Sequence, residues 1–146
     1  MKKWWLLFTG LVVFYSCLDN DQEGPNYFLN KVSDDPNYRY EYLPIDSATT
    51  PESFTFGETD TITMTYFLLN GCYSFDQIYK EVKGTTSTVA VSAIVELDLF
   101  CTEALIEEQT KFTVKATQKE DYVFKFYKGL DSTGSEIFEE VVVPVK

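Results

Sequence analysis

The sequence predicts an all-β fold: an antiparallel β-sandwich of seven or eight short strands. Three observations carry that prediction. Apolar residues recur with period two along most of the chain beyond residue 37. Turn-forming residues interrupt these runs about every 8 to 12 positions. No long run repeats with the 3.6-residue period of an amphipathic helix. An immunoglobulin-like arrangement is the first expectation, although the Cys, Trp, Cys pattern of antibody domains is absent. An eight-stranded up-and-down barrel satisfies the same period and length.

The N-terminus reads as an address. Lys2 and Lys3 precede Trp4 to Tyr15, which is apolar apart from Thr9 and Gly10. Twelve residues are too few to cross a bilayer core, which takes about 20, so residues 1–16 are expected to be a secretory signal peptide. Phe14-Tyr15-Ser16-Cys17 resembles a bacterial lipobox, with Phe14 where Leu is usual. The resemblance implies that Cys17 is acylated and becomes the first residue of the mature chain, anchoring it to a bilayer at about 0.8 kcal/mol per buried CH₂. Leu18-Asp19-Asn20-Asp21-Gln22-Glu23 resembles the acidic surface-export signal of Bacteroidota lipoproteins. Processing would also remove Trp4 and Trp5, leaving only tyrosine fluorescence.

Residues 17–37 are rich in Asp, Asn, Gln, Gly and Pro and read as an acidic flexible tether. Asp19 to Gly24 matches the first half of a calcium loop, but its twelfth position is Asn30 rather than a bidentate Glu. Residues 38–146 form the expected sandwich domain. In Thr61 to Tyr66, Ile62, Met64 and Tyr66 take one face of a strand and Thr61, Thr63 and Thr65 the solvent face. Val89, Val91, Ala93 and Val95 alternate likewise, as do Phe112, Val114 and Ala116, and Tyr122, Phe124 and Phe126. Glu136 to Val145 supplies the last strand. Turns are expected at Asn70-Gly71, as a tight hairpin, and at Lys83-Gly84, Glu120-Asp121 and Gly129 to Gly134. Pro36, Pro44 and Pro51 predict that the early strands are edge or irregular segments. Phe100 to Glu108 is the one stretch compatible with a short helical turn.

With Cys17 acylated, Cys72 and Cys101 remain as an even pair in an oxidising compartment, and a disulfide between them is expected. Closing that loop would stabilise the fold by about 3.5 kcal/mol in the chain-entropy account. The 29-residue spacing and the lack of a mature Trp place it elsewhere than the usual inter-sheet position.

Composition excludes several functions. Twelve Lys and Arg against 23 Asp and Glu give a formal charge of −11, which disfavours nucleic acid because phosphate binding needs clustered cations. The absence of His removes the commonest general base and zinc ligand. No cofactor is implied and no metal is expected. Calcium held by Asp34, Asp35 and Asp46 is the only metal reading left, and three acids among 23 are expected by chance. The adjacent acids Glu107-Glu108, Glu120-Asp121 and Glu139-Glu140 invite a two-carboxylate hydrolase. Strand neighbours point to opposite faces, however, so adjacency alone makes no site. No nucleophile elbow or Ser-x-x-Lys box frames a catalytic Ser, and the chain is not expected to be an enzyme.

Tyr38, Tyr40 and Tyr42 alternate with Arg39 and Glu41, placing three rings on one face of an early strand. Exposed, the row would stack on sugar rings or anchor a protein; buried, it is core with its hydroxyls at the rim. Asp46-Ser47-Ala48, Asp60-Thr61-Ile62 and Asp131-Ser132-Thr133 resemble the O-glycan acceptor pattern of exported Bacteroidota proteins, implying Ser47, Thr61 and Ser132 as acceptors.

Asn70 to Phe75, Cys101-Thr102-Glu103, and Phe112 to Thr117 leading to Tyr122 to Phe126 resemble small surface lipoproteins of flavobacteria and their relatives, over roughly residues 60–146. The resemblance implies fold and location and carries no activity with it. The resulting expectation is a lipid-anchored binding or accessory module of the outer membrane or cell surface. Its partners would be the membrane, through the anchor, and a glycan or envelope protein. The alternatives are a structural envelope protein and, behind it, the carboxylate hydrolase.

Overall fold

Eight strands account for the period-two runs among residues 33–146, the part of the chain that the computed structural model describes. They are β1 (Tyr38–Leu43), β2 (Ile45–Thr49), β3 (Thr59–Leu68), β4 (Tyr73–Lys83), β5 (Thr86–Glu96), β6 (Ile106–Lys115), β7 (Tyr122–Leu130) and β8 (Glu136–Val143). The signal-peptide reading, Cys17 and most of the tether lie outside the described residues. No helix occurs among the described residues, and so none long and apolar enough to cross a membrane.

Two sheets form the sandwich. One holds β2-β3-β6; the other is built around β5, which pairs with β4 along one edge and with both β1 and β7 along the other. β8 extends it beyond β7. β1 takes Val91 to Glu96 and β7 takes Thr86 to Val89, so two strands share one edge of β5 end to end. Among the eight described strands the β5–β7 pairing alone is parallel, and an isolated Phe54–Val145 bridge is parallel too, both departures from the antiparallel expectation. The β5–β7 pairing arises because β6 crosses to the opposite sheet between β5 and β7 and returns the chain to the end where β5 starts. At Pro44 the chain leaves the first sheet and enters the second as β2. Both early strands sit at edges, as the prolines predict.

The inner faces meet as the alternation requires. Ile62, Met64, Tyr66 and Leu68 of β3 pack with Val89, Val91 and Ala93 of β5, Phe124 and Phe126 of β7, and Leu43 and Ile45, which bracket the sheet switch. Each Val, Leu, Ile, Met or Phe side chain among them, moved from water into the core, contributes about 1.5–3 kcal/mol. The threonines of β3 lie exposed or half-buried on the other face, as expected.

The turns divide. Lys83 pairs with Thr86 across a two-residue loop in which Gly84 takes φ +64 and Thr85 does not take positive φ, the pattern of a II′ hairpin. Asn70-Gly71 is not a hairpin: β3 and β4 belong to different sheets, and this segment carries the chain between them. Gly71 has no positive φ. It is needed for close approach, since a Cβ there would stand 2.7 Å from Thr102 Oγ1. The helical option for Phe100 to Glu108 also fails. Residues through Leu105 form a loop, and β6 starts at Ile106 because its residues pair in unbroken register with β3.

The two ends of the sandwich are closed differently. At the hairpin end, Phe54 is fully buried and meets Tyr122 edge-on at 5.3 Å and Phe124 at 6.2 Å. The C-terminal residues seal it: Phe54 N–H donates to Pro144 O (2.8 Å) and Lys146 N–H to Phe54 O (2.8 Å). At the other end Cys72 and Cys101 form a disulfide with their Cα atoms 5.4 Å apart. It ties the β3–β4 crossover to the β5–β6 loop, away from an inter-sheet position, as the spacing predicts.

Candidate functional site

The outward face of the larger sheet carries the tyrosines. Leu43 and Val91 are register partners buried in the core, so Tyr42, Tyr40 and Tyr38, opposite Ser92, Ile94 and Glu96, fall on the outer face or continue it. That face has a small cluster of its own. Tyr42 meets Tyr79 of β4 edge-on at 5.7 Å, and Tyr127 of β7 meets Phe138 of β8 at 6.0 Å. Both pairs pack around Ala90, whose small side chain is fully buried between them. A bulge in β4 between Phe75 and Gln77 turns Asp76 to the same side. Its carboxylate accepts the Ser92 hydroxyl (2.9 Å), which satisfies a completely buried polar group.

Burial grades along the row. Tyr42 and Tyr40 are half-buried and Tyr38 is 40% exposed. The sequence leaves open whether the tyrosines are exposed or buried; the row runs from one condition to the other. Burial raises the phenol pKa of Tyr42, with Tyr79 and Asp76 adding to it. It also raises those of Tyr79 and Tyr127, where Glu81 and Glu136 respectively are the next largest causes. These hydroxyls therefore remain protonated donors beyond the usual tyrosine range near 10.0. On the opposite side of β1, Arg39 and Tyr73 both donate to Glu41 Oε2, at 3.0 and 2.9 Å.

The remaining sequence candidates do not converge. Glu139 pairs with Lys128 and Glu140 with Lys125, neighbours served by two different lysines. Glu107, Glu108, Glu120 and Asp121 are exposed. Asp34 and Asp35 precede β1 while Asp46 lies on β2, and the Asp35 carboxylate accepts the Asn37 N–H at 2.9 Å. Among the described residues no three acidic or thiol side chains are grouped to hold a metal. Ser47 on β2, Thr61 on β3 and Ser132 in the β7–β8 turn are all exposed. In that turn Asp131 Oδ1 accepts the Thr133 hydroxyl and the N–H groups of Thr133 and Ser135, and these bonds hold its pKa below the usual 3.8.

Sequence reasoning missed two features. One is the outer cluster around Ala90, hidden because Val89 to Val95 is read by its alternate valines alone. The other is a group of apolar side chains beside the disulfide; Leu97-Asp98-Leu99-Phe100, directly after a strand, was its available signal.

A family model described as the ORF11 beta-sandwich domain matches residues 62–135, just over half of the chain. The chain belongs to this family. In ORF11 beta-sandwich domain terms, the matched span runs from β3 to the β7–β8 turn and includes Cys72, Cys101, Tyr79 and Tyr127. The tyrosines of β1 precede it. No curated protein and no solved structure matches the chain.

Proposed function

We propose that the protein is a lipid-anchored binding module held outside the cytoplasm by an acylated Cys17, with the outward tyrosine face of its larger sheet as the recognition surface. The observation that carries this reading is the graded row on β1. Tyr42 is fixed by Tyr79 and the Ala90 cluster, while Tyr38, on the same face, is 40% exposed. A rigid, partly exposed aromatic face with hydroxyl donors suits the flat apolar side of a sugar ring, because little side-chain freedom is lost on contact. The disulfide supports an oxidising location. The lipobox-like Phe14 to Cys17 supports the anchor, and the exposed Ser47, Thr61 and Ser132 suit O-glycans on an exported surface.

Two measurements test the two halves of the proposal. Cys17→Ala should move the protein from the membrane to the soluble fraction, and unchanged fractionation rejects the anchor. The mature protein should bind members of a glycan panel, and Tyr38→Ala should weaken binding about tenfold with unchanged thermal unfolding. Failure of every glycan to bind, or equal binding by the variant, rejects the tyrosine face.

A further inference from the structure

Large apolar side chains crowd the disulfide end on its solvent side. Leu69 on the β3–β4 crossover, Leu97, Leu99, Phe100 and Leu105 on the β5–β6 loop, and Ile106 at the start of β6 are all exposed. Leu99 and Leu105 keep 60% and 66% of their surface in water, and Phe100 is fully exposed. Scattered surface leucines need no explanation, but five apolar side chains on two joined loops, with a sixth at the adjoining start of β6, do.

These loops are held in place. The disulfide joins them, Gly71 N–H donates to Thr102 O (3.0 Å), Glu96 N–H to Cys72 O (3.1 Å) and Leu97 N–H to Asn37 O (2.9 Å). Gly71 admits Thr102 to a distance that no Cβ would allow. Much of the ordering cost of an interface is thereby met before any partner arrives.

Charge narrows the partner. Between Gly84 and Thr110 the sequence has five acids, Glu96, Asp98, Glu103, Glu107 and Glu108, and no Lys or Arg. Residues 57–79 also lack Lys and Arg. Arg39, near this end on β1, is paired with Glu41. An apolar centre with a polar, solvent-accessible rim is the anatomy of a protein interface, and Asp98, Glu103, Glu107 and Glu108 are exposed beside these apolar residues along the chain. The acidic rim repels anionic lipid and a second copy of the same surface.

We propose that the disulfide end docks a partner protein that presents an apolar pocket rimmed by Lys and Arg. Phe100 and Leu99 fill the pocket and the surrounding carboxylates steer the approach. This site adjoins the exposed end of the tyrosine row, where Tyr38 pairs with Glu96 and Leu97 N–H bonds Asn37 O, but its test reads Phe100 and does not depend on glycan binding.

The test places the photo-crosslinker p-benzoylphenylalanine at position 100 of the full chain, in the cells that produce it. Illumination should give one discrete protein adduct whose mapped contact peptide contains Lys or Arg beside apolar residues. Adding Leu97→Ser and Leu99→Ser should lower its yield at least tenfold, with the thermal unfolding of the purified variant unchanged. The same probe at Lys115, at the opposite end, should not give that adduct. The proposal is overturned by no adduct, by adducts confined to lipid, to residues 18–32 of the same chain or to a second copy, or by a contact peptide without basic residues. A yield indifferent to the two serine substitutions, or equal from Lys115, overturns it as well.

Discussion

The hairpin end and the disulfide end of the sandwich close the same two sheets by opposite means. At the hairpin end Phe54, Tyr122 and Phe124 fill the gap between the layers, and the C-terminal residues bond across Phe54. At the disulfide end one covalent bond joins the crossing loops, and the large side chains of those loops stay in water. The packed rings close this end by burial, although Phe56 and Val82 beside it stay exposed. A covalent tie relieves the loops of having to pack inward, so their apolar residues are available for something else. The two ends therefore contribute differently: one carries stability through burial, and the other carries surface on a constrained frame.

The largest effect that would break this comparison lies at the hairpin end. Phe54→Ala should lower the unfolding free energy by about 3–5 kcal/mol in urea titration, because a fully buried ring with two edge-on partners leaves a cavity that sheets fixed by their ladders cannot close. A loss below about 1 kcal/mol would mean that the aromatic seal is dispensable. A smaller effect sharpens the other end. Gly71→Ala should cost about 1–2 kcal/mol by overpacking against Thr102 Oγ1, with part of the loss recovered in Gly71→Ala/Thr102→Ala. If the double variant is no more stable than the single one, the close approach is not what requires glycine.

The period-two pattern made most strands legible, because each strand with one face on a core and one toward water prints that fact in its residues. Ile62, Met64 and Tyr66, and Phe124 and Phe126, all face inward as read. The pairing of strands was not legible. Asn70-Gly71 has the chemistry of a tight hairpin yet crosses between sheets, since what decides it is the distant pairing of β3 with β6 and β4 with β5. The parallel contact of β5 with β7 has the same origin. Ala90 and Ser92, between the alternating residues Val89 to Val95, carry no signal of their own, and both are buried because tyrosines from β1, β4 and β7 and the Asp76 bulge gather over them. The tyrosine row was legible as a row. Its depth was not, because burial along β1 depends on neighbours from strands far away in sequence. Cys72 and Cys101 were legible from their number and the expected compartment, while the apolar surface they hold out was not, since exposure leaves no period.

The claim that the two ends are held independently is tested most directly by amide hydrogen exchange before and after selective reduction of Cys72–Cys101. Exchange should speed up at Gly71 and Glu96, whose N–H groups bond between the two tied segments. Protection at Phe54 and through β7 should be unchanged. Loss of protection at Phe54 and Phe124 in step with the loops, or no change at the loops, would contradict the account.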